Sequence, residues 1–126
     1  MKLHHIGYVV DNISSFEKHL LFGKEVKKIF DPVQNSQMAL YNNFSDSFIE
    51  LIQPLNDKSF TYNYLQKNGN GYHHLCYEIS SHEELKQIAK EQKLIMVKGP
   101  LPAILFDNRE VWFYYTLNKQ IVEFVI

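Results

Sequence analysis

The sequence predicts an α+β fold, two βαβββ modules whose paired curved sheets enclose a metal-binding cleft. Three observations lead there. The chain of 126 residues is 45% apolar and 21% charged, enough for one compact domain with a real core. It resembles itself: His5-Ile6-Gly7-Tyr8-Val9-Val10-Asp11-Asn12 aligns with His74-Leu75-Cys76-Tyr77-Glu78-Ile79-Ser80-Ser81. Each half also ends on a β-rich run with one central carboxylate, Phe48–Ile52 around Glu50 and Ile121–Val125 around Glu123.

Taken in order, the first strand begins at His5 and the fifth at His74. Ser14-x-x-Glu17 and Ser81-x-x-Glu84 then have the form of capping boxes that start helices. Phe16 and Leu20 give the first helix an apolar side, and Gly23 is placed to stop it. Leu85, Ile88 and Ala89 do the same for its counterpart. Strands are expected at about 25–31, 36–43, 94–98 and 109–116, with turns at Asp31-Pro32, Asn42-Asn43 and Asn118-Lys119. A short helix near 59–67 ends at Asn68-Gly69-Asn70-Gly71. The expected division of a single domain, 1–126, is module 1 at about 1–57, a linker helix at about 58–71 and module 2 at about 72–126. One βαβββ unit leaves a sheet face unburied, so two copies side by side enclose a cleft.

Strand side chains alternate between faces. His5, Gly7 and Val9 share one, as do His74, Cys76 and Glu78. Glu50 and Glu123 sit among apolar neighbours that imply burial, and a buried carboxylate requires a partner. A cation held jointly with His5 and His74 supplies one. A single strand histidine is more often a packing residue than a ligand, but here the His and Glu recur together, 45 and 49 residues apart. Two imidazoles and two carboxylates suit one divalent ion such as Zn, Ni, Co, Mn or Fe. Alternation sends the adjacent His4 and His73 to the opposite face, in a packing or surface role. His19 and His82 belong to solvated helix surfaces, and Cys76 is a small apolar filler. Tyr72, Tyr77 and Tyr114 are the aromatics placed to reach the cleft.

Other classes are disfavoured. The net charge is −1 and the only arginine is Arg109, so nucleic acid is not an expected partner. No apolar run approaches the roughly 20 residues of a membrane span, and Met1–His5 lacks a secretory apolar region. A cytoplasmic protein with a small-molecule substrate is expected. One cysteine excludes an internal disulfide framework.

Leu3–Val10, Ile49–Leu55, Gly71–Glu78 and Ile121–Phe124 together resemble the vicinal oxygen chelate superfamily of glyoxalases, methylmalonyl-CoA epimerases, extradiol dioxygenases and bleomycin-resistance proteins. The epimerase branch is the nearest likeness. The resemblance implies paired βαβββ modules, metal ligation by His5, His74 and Glu123, and Glu50 as a fourth, more variable ligand. It also implies a homodimer, in keeping with open sheet edges that need covering. Enolate chemistry in such a site would use Glu123 or Glu50 as the base. The chain departs from the epimerases in two places. Val33, in Pro32-Val33-Gln34, stands where they carry a candidate second base, and Pro100–Asp107 replaces a Gly-Ala-His-Gly-like loop. A glyoxalase I-like lyase, a non-haem iron dioxygenase and a metal-free binding protein are the alternatives.

Overall fold

The computed structural model describes residues 1–21, 23–43 and 45–126. Its elements are β1 (Lys2–Val9), α1 (Ile13–Phe16), β2 (Glu25–Asp31), β3 (Ser36–Asn42), β4 (Phe48–Pro54), α2 (Tyr62–Asn68), β5 (Gly71–Glu78), α3 (His82–Glu91), β6 (Ile95–Ala103), β7 (Arg109–Tyr115) and β8 (Ile121–Val125). The eight strands form one curled sheet in the order β2-β3-β4-β1-β5-β8-β7-β6. β1 runs parallel to β4, and β5 parallel to β8. The halves join where β1 and β5 pair antiparallel.

Packing follows from this curl. The inner face carries Val9, Met38, Leu40, Ile52, Cys76, Val111, Phe113 and Val125, closed by Leu65 of α2 and by Leu105 and Phe106 of a 3-10 turn after β6. The outer face is covered twice. Phe16 and Leu20 pack with Ile13, Ala39, Tyr41, Ile49 and Leu51 over the first half. Leu85, Ile88 and Ala89 pack with Tyr77, Tyr114, Val122 and Phe124 over the second. Tyr77 and Tyr114 therefore lie under α3 and not toward the cleft. Among the described residues, no helix is long and apolar enough to cross a membrane.

Three local expectations are corrected. Asn12, not Ser14, caps α1: its backbone is extended and its side chain accepts the Ser15 N–H at 2.8 Å. α1 continues only as a 3-10 turn, Glu17–His19, so Gly23 does not terminate it. Gly23 instead holds φ of 101°, where a Cβ would strike the Asn42 carbonyl. At α3, Ser81 accepts the Glu84 N–H at 3.1 Å as expected, but Glu84 answers to the Ser80 N–H and hydroxyl, one residue further back. Asn12→Ala should destabilise by about 1 kcal/mol, the usual loss for a removed N-cap. Ser14→Ala should stay within about 0.5 kcal/mol. Urea denaturation of both variants checks the order; equal losses would restore Ser14 as the cap. β6 also runs further than expected, to Ala103, where its pairing with β7 ends.

Candidate metal centre

Four strands at the middle of the sheet each bring one side chain to the inner face. Their register explains why. Gly7 of β1 lies opposite Glu50 of β4, and Cys76 of β5 lies opposite Glu123 of β8. In each half the carboxylate thus stands two residues beyond the histidine along a parallel neighbour, which is one side-chain repeat on the same face. Across the seam Gly7 opposes His74, and Cys76 opposes His5. The two halves are related by the same offsets.

Ligand atoms of His5, Glu50, His74 and Glu123 all lie within 4.8 Å of one another. His5 Nε2 is 3.0 Å from His74 Nε2. Glu123 Oε2 is 3.0 Å from His5 Nε2 and 2.8 Å from His74 Nε2, and Glu50 Oε1 is 3.5 Å from each. All four residues are buried, at no more than 2% exposure. Phe106 lies against the His5 ring at 5.1 Å, and Phe113 edge-on to His74 at 5.7 Å.

Burial raises the cost of ionising Glu123, but the flanking His5 and His74 outweigh it and hold the carboxyl well below its ordinary range. Burial also works against a charged His5; Cys76 and the Glu50 and Glu123 carboxylates overcome it and hold that imidazole well above its usual value. Cys76 is also raised, to about 12, through burial and the nearby Glu123 charge. It is an inert thiol, in keeping with the filler role expected for it.

The donor set fits a divalent cation. Glu50 and Glu123 bring two carboxyl groups into one buried site, where a dication would balance their ionised forms. Glu123 Oε2 is buried without a directed hydrogen bond although two ring nitrogens stand at ion-pair distance. Such convergence of acceptor atoms on one point is what a cation resolves.

A family model for the Glyoxalase/Bleomycin resistance protein/Dioxygenase superfamily matches residues 4–113. The chain belongs to this superfamily. Its relatives include the mitochondrial methylmalonyl-CoA epimerase of Dictyostelium discoideum, 28% identical over 128 residues, covering 97% of this chain and 76% of that one. Among solved structures, a hypothetical protein of Bacillus halodurans is 30% identical with a TM-score of 0.84, covering 98% of this chain and 92% of that one. Methylmalonyl-CoA epimerase of Mycobacterium tuberculosis superposes with a TM-score of 0.81 at 22% identity, covering 98% and 86%. The superfamily match spans His5, Glu50 and His74, and Glu123 falls beyond its end.

Two features of this superfamily member escape a reading by alternation. The first is Gly7. An added Cβ there would overlap the His74 ring, 2.5 Å from Nε2 and 2.6 Å from Nδ1. Gly7→Ala should therefore push His74 off the centre and cost about 1–3 kcal/mol by overpacking. Thermal unfolding and cobalt titration of the variant check this; unaltered values for both would show that the ring has room. The second is the pair His4 and His73, which do not face away from their neighbours. The β1–β5 register skips one residue in each strand, His4 in β1 and His73 in β5. At such bulges strict alternation fails and a side chain is re-aimed. His4 Nδ1 comes to 2.8 Å from His5 Nδ1, and His73 Nδ1 to 2.9 Å from His74 Nδ1. Burial, then the neighbouring imidazole, lowers His4 to about 4 and His73 to about 3. His19 is exposed, and His82 meets Glu110 at 2.9 Å on the surface, as expected of solvated helix positions.

Proposed function

We propose that this chain is a divalent-metal-dependent epimerase that inverts the α-carbon of an acyl-CoA thioester, with methylmalonyl-CoA as the substrate to test first. The observation that carries the reading is the placement of Glu50 and Glu123. The two carboxylates enter one buried centre from β4 and β8, in opposite halves of the sheet. His5 and His74, with these carboxylates, would hold the ion. When bound, a divalent cation supplies Lewis-acid stabilisation of the negative charge that develops on a carbonyl oxygen as the α-proton leaves. The chain's own groups do the rest. Glu123, as the carboxylate, would accept the α-proton on one side of the carbon while Glu50, entering the step as the carboxylic acid, would donate its proton from the other; the two exchange roles for the reverse direction. Phe106 and Phe113 pack against the His5 and His74 rings and would hold them in place beside the substrate.

Assigning both proton transfers to ligand carboxylates follows from Val33. It sits half-exposed in the β2–β3 turn and cannot carry a proton. The names of the Dictyostelium and mouse relatives, both methylmalonyl-CoA epimerases, support the substrate class. Four protein donors also weigh against a facial-triad iron oxygenase, which keeps positions open for oxygen and substrate.

The test is elemental analysis of purified protein, then incubation with methylmalonyl-CoA in deuterium oxide. The expected result is one divalent ion per chain and deuterium at the α-carbon of both epimers. Metal-replete protein that leaves the α-proton in place defeats the epimerase reading and favours lyase chemistry on another carbonyl substrate. Protein that takes up no divalent ion favours the metal-free binding role.

A further inference from the structure

We propose that His4 and His73 are positioning residues: each accepts a hydrogen bond at Nδ1 from the ring of its neighbour, fixing His5 and His74 in the tautomer whose Nε2 lone pair faces the centre. The proposal rests on the metal-centre reading above and adds to it the groups that aim its imidazoles.

Two ring nitrogens 2.8 or 2.9 Å apart make a hydrogen bond only when one bears the proton and the other does not. The inward side decides the direction. His5 Nε2 and His74 Nε2 stand 3.0 Å apart among the Glu50 and Glu123 oxygens, and both lose their protons once a cation takes the place of the proton they otherwise share with each other and with the carboxylates. The proton of each ligand ring then sits on Nδ1 and is donated outward. His4 and His73 must accept it and carry their own protons on Nε2. The reverse arrangement would aim an N–H into the centre and turn the lone pair away from it.

The pairing is built twice by one device. Each half inserts a single extra residue into its strand at the β1–β5 seam, and in both the extra residue is the histidine preceding the inward one. A bulge interrupts the ladder, so its recurrence at matching positions implies a shared task. The accepting rings are themselves held. His73 is buried and stands edge-on to Tyr64 at 4.7 Å, while His4 packs against Phe106 at 4.8 Å and Phe48 at 5.4 Å. A fixed acceptor on the outer nitrogen orients a ligand imidazole and raises its basicity.

Cobalt binding to His73→Leu and His73→Asn separates this role from packing. Leu fills the space without an acceptor; Asn restores an oxygen near the position of Nδ1. Loss of such a partner weakens metal binding by about 10–100-fold. That loss is expected for His73→Leu, with His73→Asn recovering most of it. The matching His4 pair should show a smaller effect, because water can reach the half-buried His4. A Leu variant that binds cobalt like wild type, or an Asn variant no better than Leu, overturns the proposal. Should His73→Leu not fold, long-range proton–nitrogen NMR of the zinc-loaded wild-type rings decides. Protonated Nδ1 on His5 and His74 with protonated Nε2 on His4 and His73 supports it; the opposite assignment defeats it. Wild-type protein that takes up no divalent ion overturns the metal reading and the proposal with it, whereas zinc-loaded protein with the opposite ring assignment overturns the proposal alone.

Discussion

Replacing His74 with alanine is expected to strip the protein of bound metal. The substitution removes one of four converging donors and leaves Glu123 with His5 as its one remaining imidazole neighbour in the cluster. It also empties the space that Gly7 reserves for a ring. The loss should exceed the roughly 10–100-fold that follows when only a supporting partner is removed. After dialysis against metal-free buffer, wild type should retain its ion and His74→Ala should not, with circular dichroism reporting that the sheet persists. Unchanged stoichiometry and affinity would sink the ligand assignment. His5→Ala should behave alike, because the β1–β5 seam gives the two histidines equivalent surroundings, Gly7 opposite one and Cys76 opposite the other.

The repeat makes the architecture legible in the chain itself. A histidine opening one strand and a glutamate centred in another, twice over, are enough to place four side chains on one face. They need only the two-residue period and parallel pairing within each half, and β1–β4 and β5–β8 have both. What could not be read lies at the seam between the halves. Alternation is a property of one strand, whereas a bulge is a property of two strands in register. His4 and His73 therefore looked outward in the sequence and meet their neighbours' Nδ1 atoms in the fold. The signal was present as the His-His doublet in both repeats, but nothing local distinguishes a doublet that alternates from one that bulges. Gly7 is similar. It shares the His5 face in any strand reading, yet only the cross-seam partner reveals that its missing side chain makes room for His74.

Local choices failed for a different reason. Ser14 and Glu17 match the spacing of a capping box, but Asn12 lies earlier and its amide oxygen reaches the Ser15 N–H first. Asn is at least as strong an N-cap as Ser, so the competition was visible in the chain and was decided by where β1 ends, at Val9. Tyr77 and Tyr114 went under α3 because each lies next in sequence to an inward residue, Cys76 or Phe113, and so takes the outer face.

Glu123→Gln tests whether the centre does more than hold an ion. Gln keeps a ligand oxygen of nearly the same shape and loses the ability to accept a proton. Much of the metal should remain, while deuterium exchange on the epimer that Glu123 deprotonates falls by roughly a hundredfold or more, the scale of a lost general base. The charge argument sets how much metal remains. The wild-type centre offers two carboxylates to a dication, and the variant offers one, so affinity weakens without vanishing. Glu50→Gln makes the complementary test. If Glu123 and Glu50 serve opposite sides of the α-carbon, Glu50→Gln should stop interconversion of the epimers while Glu123 still washes deuterium into one of them. The two variants would then differ in which epimer exchanges, a distinction that loss of metal alone cannot produce. Glu123→Gln protein that holds metal and exchanges protons at the wild-type rate would remove Glu123 as the base. Exchange lost equally for both epimers in both variants, with metal retained, would mean that the carboxylates act as one unit and not as two opposed bases.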